Sequence, residues 1–305
     1  HRGETLALVD QRKGLASVLE IVPAEDAVLA DDKPSFALRR RRKSSMWLAV
    51  DAAAQGRADT VVSAGNTGAL LAISMFAMRM IAGADRPALA SFMPTARGET
   101  VMLDLGANLE CDADNLSQFA VMGSVFAQVL LGLDKPRVGL LNVGSEELKG
   151  HEELRQAAAI LRREGLPLDF RGFVEGNDIG KGDVDVVVTD GFTGNVALKS
   201  IEGTAKLYSQ FVRDAFRSST LAKLGYLFAS GAMGKFRKRV DPRRYNGASL
   251  LGLKGIANTP ATRVSRLREN SSRRKVLTMR ANPSDVFRAT LPTKPSQTTT
   301  SALPL

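Results

Sequence analysis

Short apolar runs rich in Val and Leu, each closing on or just before Gly, Asn or Asp, recur at 60–63, 101–105, 137–143, 168–174 and 184–190. Between them lie longer stretches, 44–55, 68–81, 116–131, 152–164 and 196–217, whose apolar residues return every three to four positions. The short β-branched runs fit buried strands and the longer period fits helices. Their alternation predicts βαβ units around a doubly wound, mostly parallel sheet, an α/β fold. Ligands gather at the carboxyl ends of strands in such sheets, which makes the residues closing each run candidate site residues.

Two regions break the rhythm. A helical excursion covers about 204–244, with Leu221, Leu224, Leu227 and Phe228 followed by Lys235, Arg237, Lys238 and Arg239. An apolar edge beside a basic cluster suits two roles, packing in a dimer and reversible contact with an anionic membrane surface. The stretch 257–305 is rich in Ser, Thr, Pro and Arg, shows no sustained period, and sets nine Lys/Arg against only Glu269 and Asp285. It is expected to be a poorly ordered basic tail, leaving 1–256 as the α/β domain.

Composition narrows the field. With 305 residues, 44% of them hydrophobic, the chain has ample apolar surface for a core. One cysteine, Cys111, and two histidines, His1 and His151, exclude a disulfide framework and a histidine-rich metal site. No apolar run approaches the roughly 20 residues of a membrane-spanning helix, and His1 to Thr5 lack signal-peptide character, so a cytoplasmic protein is expected. A net charge of +10 invites acidic partners. Nucleic acid is disfavoured among them, because Trp47 and Tyr226 do not interleave with a basic groove and no binding motif occurs.

The candidate chemistry lies in four polar, glycine-bearing strand ends: Ser63-Ala64-Gly65-Asn66-Thr67-Gly68, Asp104-Leu105-Gly106-Ala107-Asn108, Asn142-Val143-Gly144-Ser145-Glu146 and Asp190-Gly191-Phe192-Thr193-Gly194-Asn195. Glycine admits close backbone approach, and free N–H groups at a helix start favour an anion. Taken singly each is an ordinary strand-to-helix turn; together they suggest one shared anionic-ligand site. None reads G-x-G-x-x-G or G-x-x-x-x-G-K-[ST], which argues against dinucleotide and P-loop chemistry. Cys111 sits in the acidic stretch 110–114, which disfavours a thiolate nucleophile. Arg39-Arg40-Arg41-Arg42-Lys43 reads either as a solvated helix face or as a contact for an acidic partner, with Ser44 or Ser45 capping the next helix or meeting a phosphate group.

Read together, several segments resemble the phosphate acyltransferase (PlsX) family. They are Lys33-Pro34-Ser35 with Arg39-Arg40 and Ser44-Ser45-Met46, the Ser63 to Ala69 turn, Asp85-Arg86-Pro87-Ala88, the Asp104 to Asn108 turn, Gln118 to Ser124, Pro136 to Asn142, the Asp190 to Asn195 turn and Tyr245-Asn246-Gly247-Ala248. They follow the family's order over roughly 22–256. The chain departs from the family at both ends: the opening strand with its Gly-Gly-Asp turn is not seen, and the pattern after Ile256 changes as a reading-frame change would make it.

The resemblance implies an isopropylmalate-dehydrogenase-like fold, a homodimer, and transfer of a fatty acyl group from acyl carrier protein to inorganic phosphate, with no cofactor and no metal. Acyl phosphate would then pass to a glycerol-3-phosphate acyltransferase for phosphatidic acid synthesis, at the inner face of the plasma membrane. The sites that follow are Lys149, Asn195 and Asn66 for catalysis, and Gly65, Thr67, Gly68, Asn108, Asn142, Asp190, Gly191, Thr193, Gly194, Ser44 and Ser45 for phosphate or substrate. Arg39, Arg40, Leu224, Leu227, Phe228, Lys235 and Arg237 are the expected carrier or membrane contacts. Two alternatives stay open: a phosphate acetyl- or butyryltransferase using coenzyme A thioesters, and a catalytically impaired member that only binds carrier protein or membrane.

Overall fold

The computed structural model describes residues 19–163, 166, 168–240, 247–259, 276–279 and 285–289, with the backbone alone at 19, 235, 237–240, 276–279 and 285–289. It divides into two compact units, His1–Met78 with Val264–Leu305, and Arg79–Arg263.

The first unit holds strands β1 (Leu19–Pro23) and β2 (Thr60–Ser63) and helices α1 (Pro34–Arg40), α2 (Ser45–Ala54) and α3 (Thr67–Met78). The stretch after Ala257 showed no strand period in sequence, yet β10 (Val276–Met279) and β11 (Asp285–Ala289) lie within it. Four- and five-residue strands are too short to register a period. β11 runs antiparallel between β1 and β10, and β10 pairs parallel with β2, Leu277 beside Val61. The Oγ of Ser44 accepts from the Trp47 amide at 3.3 Å and caps α2. The helix then buries Met46, Trp47, Ala49 and Val50.

The second unit contains β3 (Ala88–Thr95), β4 (Gly98–Leu103), β5 (Arg137–Leu141), β6 (Asp169–Val174), β7 (Val186–Val188), β8 (Ala248–Leu251) and β9 (Ile256–Thr259). Their order is β9-β8-β3-β4-β7-β5-β6. From β4 to β6 the neighbours are parallel, and β3, β8 and β9 extend that run antiparallel, so the α/β fold carries a mixed sheet. The helices are α4 (Ala113–Leu131), α5 (Glu152–Leu161), α6 (Gly191–Arg217) and α7 (Thr220–Val240).

Helix α4 starts where Asp112 accepts from the Asn115 amide at 2.7 Å and stops at Gly132, whose φ of 69° turns the chain out of the helix. Its apolar face enters a core of Val101, Leu103, Phe119, Val138, Leu140, Val186 and Val188. Burying Phe119 completely stabilises the unit by about 2–3 kcal/mol. Gly123 permits this packing, because a Cβ there would sit 2.7 Å from Val186 and 2.8 Å from Leu103.

The excursion is a helical pair. α6 and α7 meet through Phe216 and Tyr226, ring centroids 5.3 Å apart. Leu224, Leu227 and Phe228 are 53%, 69% and 84% exposed. The side chains of Lys235 and Arg237 lie outside the described residues.

Candidate functional site

The parallel run fixes where the polar turns of the second unit can meet. Strands β4 and β5 flank β7, so the turns closing β4, β7 and β5 share one edge within about 10 Å at normal strand spacing. Asp104 closes β4 and is wholly buried. Its Oδ1 accepts from the amides of Leu89, Gly106 and Ala107 at 2.9, 3.2 and 3.0 Å. Its Oδ2 accepts from the amide of Asn108 at 2.7 Å and from the Asn108 side chain at 2.9 Å. One carboxylate thereby winds residues 104–108 into a fixed turn. Burial raises the pKa of Asp104 despite these donors, which act in the opposite direction.

The turn closing β7 docks on this one. The Gly191 amide donates to the Asn108 carbonyl at 2.7 Å. A Cβ at Gly191 would collide with that carbonyl, and one at Gly194 with the carbonyl of Asp104, so glycine is required at both contacts. Asp190 caps α6, accepting from the Thr193 amide at 2.8 Å and from its hydroxyl at 2.7 Å. The Gly194 amide donates to the Asp190 carbonyl. Of the amides at 191–194 expected to hold an anion, only that of Phe192 has no acceptor among the described residues. Asn195 is exposed and its side chain has no hydrogen-bond partner among the described residues; its Cβ lies 3.6 Å from where Gly106 would carry one.

The turn after β5 is organised by Asn142, whose side-chain amide donates to the Lys149 carbonyl at 3.0 Å while its Oδ1 accepts from Val143 at 2.9 Å. Asn142 is buried, and Gly150, at φ 91°, leaves room for its side chain. Lys149 is exposed and donates to Glu146 Oε1 at 2.7 Å. That hydrogen bond raises the lysine's pKa and keeps it a cation.

In the first unit Asn66 caps α3, its Oδ1 accepting from the Ala69 amide at 3.0 Å. Its Nδ2 donates to the carbonyls of Leu29, Ala30 and Asp32 at 3.4, 3.1 and 3.0 Å. Gly65 donates to the Ser63 Oγ, and the amides of Thr67 and Gly68 have no acceptor among the described residues. Ser44 is buried in its cap, and the Ser45 amide donates to the Asp26 carbonyl.

The basic run divides by role. Arg41 bridges Asp26 and Asp32 at 2.9 and 3.1 Å, and Lys43 pairs with Glu25 at 2.7 Å. Arg42 lies over Trp47 and Phe76, 5.5 and 5.6 Å from the ring centroids. Arg39 and Arg40 are exposed, with no ion pair among the described residues.

Sequence reading missed Asp104 as the organiser of the site, although it quoted the turn. The available signal was an acidic residue ending an otherwise apolar strand just before Gly-x-Asn. Cys111 is half-buried, and burial first, then the charges of Asp104 and Asp190, push its thiol up to about 12. It is no nucleophile at neutral pH.

The chain belongs to the fatty acid synthesis protein family, whose family model matches residues 1–258. It is an acyltransferase, as its curated relatives are. The phosphate acyltransferase of Rhodospirillum centenum is 64% identical over 249 residues, covering 82% of this chain and 70% of that protein. That of Paramagnetospirillum magneticum is 60% identical over 243 residues, covering 80% and 69%. Among solved structures, the EutD phosphotransacetylase from Staphylococcus aureus aligns with a TM-score of 0.45 at 18% identity, over 74% of this chain and 68% of its own. A branched-chain phosphotransacylase from Enterococcus faecalis aligns at 0.46 and 14%, over 71% of each chain.

Proposed function

We propose that this acyltransferase moves a fatty acyl group from an acyl carrier protein thioester to inorganic phosphate, releasing acyl phosphate and the carrier thiol. The observation that carries the reading is the pair of locked turns at Asp104–Asn108 and Asp190–Asn195, which leave one helix-start amide, that of Phe192, and one side chain three positions on, that of Asn195, without a partner among the described residues. A phosphate oxygen attacks the thioester carbonyl carbon, the C–O bond forms, and the C–S bond breaks to give a thiolate that takes up a proton from water. Phosphate is already anionic at neutral pH, and a thiolate leaves readily, so no strong base or covalent nucleophile is needed. Holding the partners together and stabilising the oxyanion supply the rate. In this reading the Phe192 amide and Asn195 receive the developing oxyanion and Lys149 balances phosphate charge. The amides of Thr67 and Gly68 favour an anion at the start of α3.

Arg39 and Arg40 are the cations we assign to the acidic carrier, since their neighbours Arg41, Arg42 and Lys43 are already engaged. The exposed apolar residues of α7 support a homodimer joined through the helical pair and contact with an anionic membrane. Among the described residues no helix is long and apolar enough to cross one.

The test is acyl phosphate formation, read as transfer of radiolabelled inorganic phosphate into a lipid-soluble product, from palmitoyl acyl carrier protein, with palmitoyl coenzyme A in parallel. Product from the carrier thioester is expected. Product from coenzyme A alone moves the assignment to the coenzyme A enzymes, and product from neither refutes the transfer.

A further inference from the structure

We propose that an apolar groove in the second unit, between residues 81–84, α4 and the end of α5, receives the alkyl tail of the acyl donor. The inference rests on the acyl transfer proposed above and names where the non-reacting end of that substrate lies. The groove is open to solvent on one side, offers about 290 Å³, and is walled by Ile81, Gly83, Val121, Met122, Ile160 and Leu161. Its near wall is low because Ala82, Gly83 and Ala84 are small, and a Cβ at Gly83 would meet nothing within 4 Å.

The groove is a built feature rather than a gap between loosely packed parts. The Asp85 amide donates to Gln118 Oε1 at 2.9 Å, and the Gln118 side chain donates back to Asp85 Oδ2 at 2.6 Å, which fastens the wall to α4. The same wall then runs into the site. Arg86 donates to the Glu110 carbonyl, and the Pro87 carbonyl accepts from the Asn108 side chain at 2.8 Å. Only Asp85 and Arg86 lie between Ala84 in the groove and Pro87, a span of at most about 11 Å over three steps. A tail in the groove and a thioester at the Asp104–Asn108 turn are therefore within reach of one extended molecule.

Lining and position select the occupant. Apart from Ser117 and Gln118 the walls are apolar, and they run on to the Asp104–Asn108 turn, as the alkyl chain of an acyl donor runs on to its thioester. Each methylene buried there favours binding about fourfold, which makes the groove a determinant of chain length.

Two measurements on the full chain test this. In equilibrium dialysis with radiolabelled palmitate below its micelle concentration, saturable binding is expected, weakened tenfold or more by Val121→Trp, which fills the groove, and by Ala82→Leu, which raises its exposed rim. In acyl phosphate assays the ratio of kcat/KM for palmitoyl over butyryl donors should fall by tenfold or more in both variants. Circular dichroism identifies a variant that fails to fold, and the other variant then decides. Absence of palmitate binding by the unmodified protein, or binding unchanged by the folded variants, overturns the groove assignment, as does an unchanged ratio. Palmitate binding that responds to the variants, in a protein that forms no acyl phosphate, upholds the apolar site and refutes the transfer reading instead. Groove occlusion by a second copy would appear as binding that rises on dilution, and it too overturns the assignment.

Discussion

Replacing Asp104 by Asn exchanges one of two carboxylate oxygens for an NH2 group in a wholly buried position. If the remaining oxygen keeps the amides of Leu89, Gly106 and Ala107, the new NH2 faces the Asn108 amide and the Asn108 side chain, both donors. Two buried donors then lack an acceptor, at about 1–3 kcal/mol each. Part of this is offset because a neutral amide is easier to bury than a carboxylate, so about 3 kcal/mol is expected, a factor of roughly 100 in the folding equilibrium. Urea unfolding followed by far-ultraviolet circular dichroism measures it. The pH dependence supplies a second sign. Burial raises the pKa of Asp104, so the folded form binds its proton more tightly than the unfolded chain does. Its contribution to stability is then complete below the ordinary carboxylate value of 3.8 and lost as pH rises through the higher folded value. The variant has no such proton, so the stability gap between the two proteins should widen as pH falls from 7 towards 4. A gap below about 0.5 kcal/mol, within the range of ordinary surface substitutions, or one that narrows on acidification, would refute the account of Asp104 as the buried organiser.

Other substitutions separate holding from acting. Gly194→Ala sets a methyl against the Asp104 carbonyl, and displacing the start of α6 should lower both turnover and melting temperature; a fully active, equally stable variant would show that the two turns need not touch. Lys149→Ala removes an exposed cation, so turnover should drop tenfold or more with the thermal midpoint unchanged, and full activity would leave the lysine with its ion pair only. Reversing Arg39 and Arg40 together to Glu should raise KM for a carrier-bound donor at least tenfold while leaving that for a coenzyme A donor within twofold; an equal rise for both would remove the carrier contact.

Where chemistry and period coincided, the sequence was readable. The run 60–63 matches β2, and 137–143 contains β5, because Val and Leu fill buried positions of a parallel strand. β3 was missed because Ala88–Thr95 carries two alanines and a proline and lies in the antiparallel half, where the expected alternation of strand and helix fails. α6 begins five residues before its apolar period does, at Gly191. The glycines there read as a turn, yet they are helical residues kept small by the carbonyls of Asn108 and Asp104. Such contacts between distant turns leave no periodic trace. The basic run was equally opaque: five cations look alike in sequence, and only the positions of Asp26, Asp32, Glu25 and Trp47 sort them into tethers, a stacked ring partner and two charges with no ion pair among the described residues.

The stacking of Arg42 on Trp47 has a spectroscopic consequence. Trp47 is the single tryptophan of the chain, it is 8% exposed, and its Nε1 has no hydrogen-bond partner among the described residues. Its fluorescence therefore reports one place, the base of the arginine run, with a guanidinium 5.5 Å from the ring centre. An acidic ligand that draws Arg42 away changes the field across the indole and shifts its emission, which gives the protein a label-free optical signal for engagement of that surface.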